Sequence, residues 1–487
     1  MRLTLRRSCA ACARAKHSCD LRTPRCARCI KRKIHCVYAN APATPPAASG
    51  QEEDQLIRRP LEKFNLTGGR LGSLDPFDSY PQTRLPRERV QRLIHSFIHK
   101  IAFQYYPLDL NAASNPFLVS WWPLALGDPA LFHVSLQTAC LDEELLAQKG
   151  FQASEILMAD SVTLLRRKIE DVSLAVQDGT MDSVITLAAI EFGKGNTDIS
   201  NMHVDGVKKL VKMRGGINAV RQTSPLTARM VSWVSMLVTG RPQFETQNDL
   251  GIGDGIPPIP EWQFDSFTPH GLPGLENMDV DYEVLNVYHR LRNAFHRAQR
   301  IPFPPTQLHD LTCFVIHRLL LSAPDITSSP PSPITECLRY GIVLYMFIVQ
   351  GPTYFSHAVI LNTIVTRLMN HITELESIHH EYGFFDVWLL GVGMVASAGT
   401  AHYSWFVERA RAMARSLDFE SWNEVLINLK KILWLETAPV ENNFRPHWDR
   451  MFNAADATGG LDLSQCAGPG VYENPSLLIL QYKGQKV

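Results

Sequence analysis

Residues 9–36 read CAACARAKHSCDLRTPRCARCIKRKIHC and contain six of the ten cysteines in the chain. One Cys-x2-Cys-x6-Cys unit occurs twice, with the spacing Cys9-x2-Cys12-x6-Cys19-x6-Cys26-x2-Cys29-x6-Cys36. A lysine stands four residues after the second cysteine of each unit, Lys16 in the first and Lys33 in the second. The duplicated unit predicts a small metal site built from two similar halves.

Zinc chemistry accounts for the number of cysteines. Zinc takes four tetrahedral ligands, so two ions need eight ligand positions, and six thiolates fill them only when two sulfurs bridge. The sequence therefore predicts two zinc ions held by Cys9, Cys12, Cys19, Cys26, Cys29 and Cys36. A single site formed by Cys9, Cys12, Cys26 and Cys29 is the alternative, but it leaves the repeat unexplained.

The compartment also decides how clustered cysteines are used. Disulfides form in oxidising compartments, whereas clustered cysteines in a reducing one more often bind metal. The opening residues, MRLTLRRS, lack the apolar core that a secretory signal needs. We therefore expect a reducing compartment, with disulfides or another zinc module as the alternatives. The scattered cysteines are expected to pack as small hydrophobic residues: Cys140, Cys313, Cys337 and Cys466.

Charge is as unevenly distributed as cysteine. The chain has 48 basic and 48 acidic residues, yet residues 1–50 contain eleven Lys and Arg against one acid, Asp20. That head carries a formal charge of +10, and the remaining residues carry −10. The split predicts a polyanionic partner for the head alone.

The basic residues of the head have two predicted roles. A short helix from Cys12 to Ser18, held by zinc at both ends, presents Arg14 and Lys16, and such side chains pair with guanine O6 and N7 in double-stranded DNA. Other basic residues are better placed to neutralise phosphates, which gives affinity without sequence information: Arg22, Arg25, Arg28, Lys31, Arg32 and Lys33. The run from Lys31 to Lys33 is also typical of a nuclear import signal.

This segment resembles the fungal zinc binuclear cluster (Zn(2)-C6) transcription regulators. The matching residues are Cys9, Cys12, Lys16, Cys19, Asp20, Pro24, Cys26, Cys29 and Cys36. The resemblance implies that Cys9 and Cys26 bridge the zinc ions and that Lys16 reads base edges of a CGG-type triplet in the major groove. The chain departs from the family pattern at Ala13, Ala15 and Ser18, where members carry basic residues. Arg14, Arg6 and Arg7 are the candidates to compensate.

Composition changes after the head, which we assign to residues 1–40. Residues 41–86 are rich in Ala, Pro and polar residues and are predicted to form a flexible tether. Pro60 interrupts a potential heptad seam there, so no coiled-coil dimer is predicted and the oligomeric state is left open between monomer and dimer. Helical periodicity dominates residues 87–487, which predicts a mainly α protein with a large all-helical regulatory domain.

Two apolar stripes illustrate this periodicity. Residues 158–176 carry apolar side chains on one helical face, and Asp178-Gly179 is predicted to end that helix. A second stripe runs from Val204 to Val211, with Asn201 as candidate N-cap and Gly215-Gly216 as its end. Further helices are predicted at 87–105, 181–192, 226–239, 284–299, 307–322, 334–349, 355–378, 400–416 and 420–434.

Residues 242–289 contain nine acidic residues and no Lys or Arg. Trp262, Phe264, Phe267 and Tyr282 lie among the acids, a composition typical of activation regions that contact the transcription machinery. Abundant Pro and Gly and the irregular spacing of the aromatics favour an ordered surface excursion of the helical domain instead.

A weaker resemblance extends over much of residues 70–450. Short segments look like the helical regulatory domain of fungal-specific transcription factors: GSLDPFDSYP at 72–81, HVDG at 203–206, RGG at 214–216 and GRP at 240–242. Transcription machinery or a co-regulator is the candidate for a second partner.

Enzyme and membrane signatures are absent from the sequence. It contains no His-Glu-x-x-His, Gly-x-Ser-x-Gly or phosphate-loop motif, and His379 and His380 are adjacent, so they do not share a helix face. No run of 18 apolar residues predicts a membrane span. The predicted function is a nuclear, sequence-specific DNA-binding transcription regulator of the RNA polymerase II type. The alternative is a helical protein-interaction or effector-sensing factor whose zinc cluster lacks specific DNA readout.

Overall fold

The computed structural model describes residues 10–15, 17, 19, 26–34, 36, 80–148, 150–263, 280–322, 332–354, 357–378 and 382–453. The chain divides into two compact units, residues 1–74 and 75–487. The first unit contains the head, where two short helices are described: α1 (Ala10–Arg14) and α2 (Ala27–Lys31).

The second unit, which we call the body, is helical. Its first group of helices contains α3 (Arg87–Ser96), α4 (Ala102–Tyr105), α5 (Trp122–Gly127), α6 (Pro129–Ala147), α7 (Gln152–Ile169), α8 (Val172–Ala175), α9 (Asp178–Gly193), α10 (Thr197–Met213), α11 (Ile217–Thr223) and α12 (Pro225–Thr239). Its second group contains α13 (Pro260–Gln263), α14 (Tyr282–Ala298), α15 (Pro305–Leu321), α16 (Pro333–Gln350), α17 (Ala358–Ile378), α18 (Phe384–Ala396), α19 (Tyr403–Ser416), α20 (Trp422–Ile432) and α21 (Ala438–Asn453).

The predicted mainly α fold class is confirmed for the described residues, where the only sheet-like pairing is an isolated bridge between Thr246 and Ile256. Two π-helical turns, Phe97–Ile101 and Phe117–Trp121, adjoin α4 and α5. Within the described ranges, the helices include none long and apolar enough to cross a membrane.

Five helices form the interior of the body: α6, α9, α12, α16 and α18. Each is buried over most of its length, as in α16, where the buried side chains run almost without a break from Ile334 to Gln350. Helix α9 packs against α6, α7, α10 and α12, and α18 packs against α16, α19, α20 and α21. Contacts between α12 and α15 connect the two groups of helices.

A buried arginine fastens α15 to α16. The Arg339 side chain is 2% exposed and pairs with Glu336 one turn earlier, its Nε lying 2.9 Å from Oε1. Arg339 Nη1 also donates to Leu319 O at 2.9 Å and to Ser322 Oγ at 2.7 Å. These groups stand at the carboxyl end of α15, whose last carbonyls have no partner within the helix. Arg339 therefore caps α15 from the side of α16.

The residues just before residue 87 contact helices of the body. Tyr80 stacks on Phe132 of α6 with ring centroids 5.7 Å apart, and Arg84 Nη2 lies 2.9 Å from Asp160 Oδ1 in α7. Residues 80–86, which composition assigns to the tether, therefore pack against body helices. Residues 41–79 lie outside the described residues, and the domain limits stay a prediction.

Most predicted helices appear within a few residues of their expected bounds. The stripe from Val204 to Val211 is buried in α10, and Gly215 and Gly216, both with positive φ, follow its end. Asn201 is not the N-cap, because α10 starts earlier, at Thr197, and Asn196 precedes it. The loop predicted at 325–333 lies mostly outside the described residues.

The prediction of one continuous helix from the apolar stripe over residues 158–176 is wrong in two respects. The helix ends at Ile169, and Asp178-Gly179 opens α9, where an acidic residue in the first turn is favoured by the helix dipole. The face of α7 that is buried contains Ser154, Leu157, Ser161 and Leu165, so two of its four buried side chains are serines. Ser161 satisfies its hydroxyl group by donating to Leu157 O at 2.8 Å. Apolar periodicity therefore selects a neighbouring face of the helix.

Candidate metal centre and nucleic-acid interface

The two helices of the head are only five residues long each. Helices of this length are not stable by themselves in water, so their conformation depends on other contacts. Cys12 lies within α1, and Cys26 and Cys29 lie at the start and in the middle of α2. Cys26 is also the N-cap of α2, since its sulfur accepts a hydrogen bond from Cys29 N at 3.4 Å.

The described cysteines of the head converge on one point. The sulfur atoms of Cys12, Cys26 and Cys29 all lie within 4.8 Å of one another, and all three residues are buried. Cys36 is also buried and its sulfur accepts from Cys26 N at 3.4 Å, while half-buried Cys19 packs against the same cluster. Cys9 lies outside the described residues. The structure therefore brings five of the six predicted ligands into one small cluster.

The distances fit zinc. Two sulfurs bound to one tetrahedral zinc at about 2.3 Å are about 3.8 Å apart. Cys12 Sγ and Cys26 Sγ are 3.7 Å apart. Cys26 is 0% exposed and contacts Cys12 of the first unit together with Cys29 and Cys36 of the second. This position between the two units fits the bridging role that the resemblance gives to Cys26.

The described basic residues of the head are mostly exposed to solvent. Arg14, Lys31, Arg32 and Lys33 are exposed, and Arg28 is half-buried. Lys33, the residue after the C-cap Arg32 of α2, has a left-handed backbone with φ of 56°. The other predicted DNA contacts lie outside the described residues: Arg6, Arg7, Lys16, Arg22 and Arg25. The described part of the head thus has a thiol interior and a cationic surface, as zinc and DNA binding require.

Residues 7–44 match the fungal Zn(2)-Cys(6) binuclear cluster domain, and residues 92–240 match the fungal specific transcription factor domain. The chain carries both domains of a fungal zinc-cluster transcription factor. The predicted resemblance and the predicted cofactor, two zinc ions in the cluster domain, are thereby confirmed. No curated protein and no solved structure matches the chain.

The domain pair also indicates the class of protein. A zinc-cluster transcription factor regulates transcription and binds DNA, so these domains indicate a regulator rather than an enzyme. The second match ends at Gly240, at the end of α12, whereas the helical body continues to Asn453. The second group of helices therefore extends the matched domain within the same unit.

Part of the acidic segment 242–289 is folded into the body. Trp262 is fully buried, and its Nε1 donates to Asp249 Oδ1 at 2.9 Å. Asn286 donates to the other carboxylate oxygen of Asp249 at 2.7 Å, and Arg290 donates to the Trp262 carbonyl at 2.6 Å. Phe264 and Phe267 lie outside the described residues. In the described part of the segment, Trp262 and Asp249 therefore pack within the body, as expected for an ordered surface excursion of the helical domain.

The periodicity of the sequence does not reveal the buried ionic cluster that joins α11, α12 and α15. Arg221 and Arg229 both contact Asp310, more than 80 positions away in the sequence. A small cleft beside this cluster is lined by Arg221, Arg229, Ser232, Asp310 and Cys313 among others. The candidate His379, His380 and Glu381 lie outside the described residues.

Proposed function

We propose that this protein is a nuclear, sequence-specific DNA-binding regulator of RNA polymerase II transcription that reads CGG-like triplets through its zinc cluster. The observation that carries the proposal is the convergence of the Cys12, Cys26 and Cys29 sulfurs in a unit whose described basic residues are mostly exposed. The proposed ligands of the two zinc ions are Cys9, Cys12, Cys19, Cys26, Cys29 and Cys36. The proposed domains are residues 1–40, 41–86 and 87–487.

The zinc ions supply the folding free energy that so small a unit lacks, because they hold α1 and α2 through their cysteines. Lys16 and Arg14 then pair with guanine edges in the major groove. Arg6, Arg7, Arg22, Arg28, Lys31 and Arg32 contact phosphates, which orients the unit on the duplex, and Lys33 contacts the DNA beside them. The body receives regulatory input and contacts the transcription machinery or a co-regulator.

Selection of bound duplexes from random DNA, with the full-length zinc-loaded protein, tests this function. We expect enrichment of a site that contains one or two CGG-like triplets. Binding to that site should weaken log-linearly with salt, because each neutralised phosphate releases counterions. Equal affinity for all duplexes would instead support a factor that acts through protein partners and lacks specific DNA readout.

A further inference from the structure

The two halves of the zinc cluster share one backbone design. In the first half, Ala15 N donates to Ala11 O at 3.2 Å and His17 N donates to Cys12 O at 3.0 Å. In the second half, Arg32 N donates to Arg28 O at 3.1 Å and Ile34 N donates to Cys29 O at 3.0 Å. Each pair of bonds is related to the other by a shift of 17 positions. The halves are therefore equivalent in local structure as well as in cysteine spacing.

The shift of 17 positions relates Lys33 to Lys16, the lysine to which we assign base reading. Lys33 follows Arg32, the C-cap of α2; it is exposed and has a left-handed backbone with φ of 56°. Its amide donates to Ile30 O at 3.1 Å, which closes the end of the helix. The second half thus presents a lysine in the position from which the first half is proposed to read DNA.

The second half of the cluster carries more basic residues than the first. Three alanines of the first half, Ala11, Ala13 and Ala15, correspond to Arg28, Ile30 and Arg32 in the second. Arg32 and Lys33 are exposed, and within the described part of the chain neither is ion-paired. The second half carries four basic residues, Arg28, Lys31, Arg32 and Lys33, and the first half carries two, Arg14 and Lys16, so the positive charge of the cluster is concentrated in and after α2.

Two isoleucines lie beside these basic residues. Ile30 is 58% exposed and Ile34 is 46% exposed, although a residue of this type is usually buried. They are four positions apart, at the end of α2 and just after it. In the major groove the only apolar group on a base edge is the C5-methyl of thymine, and it is recognised by apolar contact.

We propose that Lys33 is a specificity-determining residue that reads a guanine through O6 and N7, and that Ile30 contacts a thymine methyl group beside it. This inference rests on the proposed DNA-binding function and changes the role of Lys33 from a phosphate contact to a base contact. The α2 half then reads bases next to those read by Lys16. Arg32 stays a phosphate contact and serves as the matched comparison.

The first experiment compares K33M with R32M in the full-length zinc-loaded protein. Each variant removes one positive charge and keeps an apolar stem, at neighbouring positions. Fluorescence anisotropy measures binding to the selected duplex and to a set with single base-pair changes. We expect K33M to lose about tenfold discrimination at one G·C pair, whereas R32M weakens binding to all duplexes by a similar factor. Lys33→Arg should keep the discrimination, because arginine pairs with the same guanine atoms.

The second experiment replaces each thymine of the selected duplex by uracil, one at a time. A uracil lacks the C5-methyl group, so wild-type protein should lose affinity several-fold at one position. Ile30→Ala should bind the thymine and uracil duplexes equally at that position. The control variant Ile427→Ala changes an isoleucine of the body that is 60% exposed, and should behave as wild type. Zinc content is measured for every variant.

The outcomes separate the inference from the function. Sequence-specific binding by wild type, together with identical selectivity profiles for K33M and R32M, would overturn the base-reading role and leave the function intact. A full complement of zinc without any preferred duplex would contradict the function itself. If Lys33→Met loses zinc, the Lys33→Arg variant and the uracil series still decide between base and phosphate contact.

Discussion

Arg229 donates two hydrogen bonds to the Asp310 carboxylate, from Nε to Oδ1 at 2.8 Å and from Nη2 to Oδ2 at 2.9 Å. Arg221 lies 2.9 Å from the same carboxylate, which belongs to a residue that is 5% exposed. Burial alone raises the pKa of Asp310, but the hydrogen bonds and charges of Arg229 and Arg221 hold it below its usual value. One carboxylate therefore joins α11 and α12 to α15 across the two groups of body helices.

Asp310→Asn is expected to destabilise the body by about 3 kcal/mol, because it leaves two partly buried guanidinium groups without their counter-charge. Urea unfolding followed by tryptophan fluorescence measures this, since all nine tryptophans lie between residues 121 and 448. The matched control is Asp449→Asn, which breaks an exposed pair with Arg445 and should cost less than about 1 kcal/mol. Equal effects of the two variants would contradict the role of Asp310.

The pKa of Asp182 is shifted in the opposite direction to that of Asp310, and this shift predicts how stability depends on pH. It is 1% exposed in α9, where burial raises its pKa well above the usual value and the charge of Asp178 raises it further. A carboxyl group with a raised folded pKa stabilises the fold fully below its unfolded pKa of about 3.9, and this contribution is lost as pH rises through the folded pKa.

At pH 8 the free energy of unfolding of Asp182→Asn, measured in urea, should therefore exceed that of wild type by about 1 kcal/mol or more. This difference should disappear as pH falls towards about 4. The amide keeps an acceptor for Thr227 Oγ1, which lies 3.1 Å from Asp182 Oδ2. Asp171 serves as control, because hydrogen bonds from Ser173 lower its pKa. Asp171→Asn should lose stability relative to wild type only as pH rises to about 4, and the difference should stay constant from there to about pH 8. Parallel urea-versus-pH curves for wild type and Asp182→Asn would refute this assignment.

The central position of Cys26 makes its replacement the sharpest test of the zinc cluster. Cys26→Ala is expected to leave at most about one zinc per chain and to abolish DNA binding, because a bridging sulfur serves both ions and metal binding supplies the folding free energy. Elemental analysis of the purified protein gives the zinc content. Cys337→Ala, at a buried cysteine of the body, should retain two zinc ions. Two zinc ions per chain in Cys26→Ala would exclude the bridged arrangement.

Lys16→Ala should relax the base preference of the first half by about 1–3 kcal/mol at one position. Arg28→Ala should weaken binding to all duplexes about equally, because a phosphate contact carries no sequence information. Competition binding between the selected duplex and its single-base variants measures both. A normal site preference in Lys16→Ala would remove its reading role.

Gly393 shows how closely α18 and α19 approach. A Cβ atom added at Gly393 would overlap the ring of Phe406, which is fully buried. Gly393→Ala is expected to cost about 1–3 kcal/mol of body stability through overpacking. Gly127, with no atom near its added Cβ, provides the control, and Gly127→Ala should be neutral or slightly stabilising. Thermal unfolding compares them, and a stable Gly393→Ala variant would show that the two helices can separate at low cost.

The sequence predicts the head better than any other part of the chain. Cysteine spacing is decided by coordination chemistry, so it indicates the cluster without knowledge of the backbone. The convergence of Cys12, Cys26 and Cys29 agrees with that reasoning. The equivalence of Ile34 and His17 in their hydrogen bonds is not visible from spacing, because it depends on how each half ends its helix.

Amphipathic helices such as α10 and α14 are also readable, because one apolar face alternates with a polar one. Helices α6 and α18 are not among the predicted helices. Their side chains are buried nearly all round, so no stripe separates one face from another. Helices α9 and α16 are buried in the same way and are nevertheless predicted, so the lack of a stripe weakens a prediction without excluding it. In α7 the buried face contains serines, and the long-range partners of Asp310 leave no local pattern.

The hydrogen bonds of Arg339 connect α16 to the carboxyl end of α15 independently of the chain that joins the two helices. These bonds reach Leu319 and Ser322 directly, so the two helices are fastened by side chains on both sides of residues 323–331. Lengthening a connection adds closure entropy only slowly. Natural variants with longer or shorter sequences at this point should therefore keep the same helical hairpin, and an inserted epitope or fluorescent tag should be tolerated there.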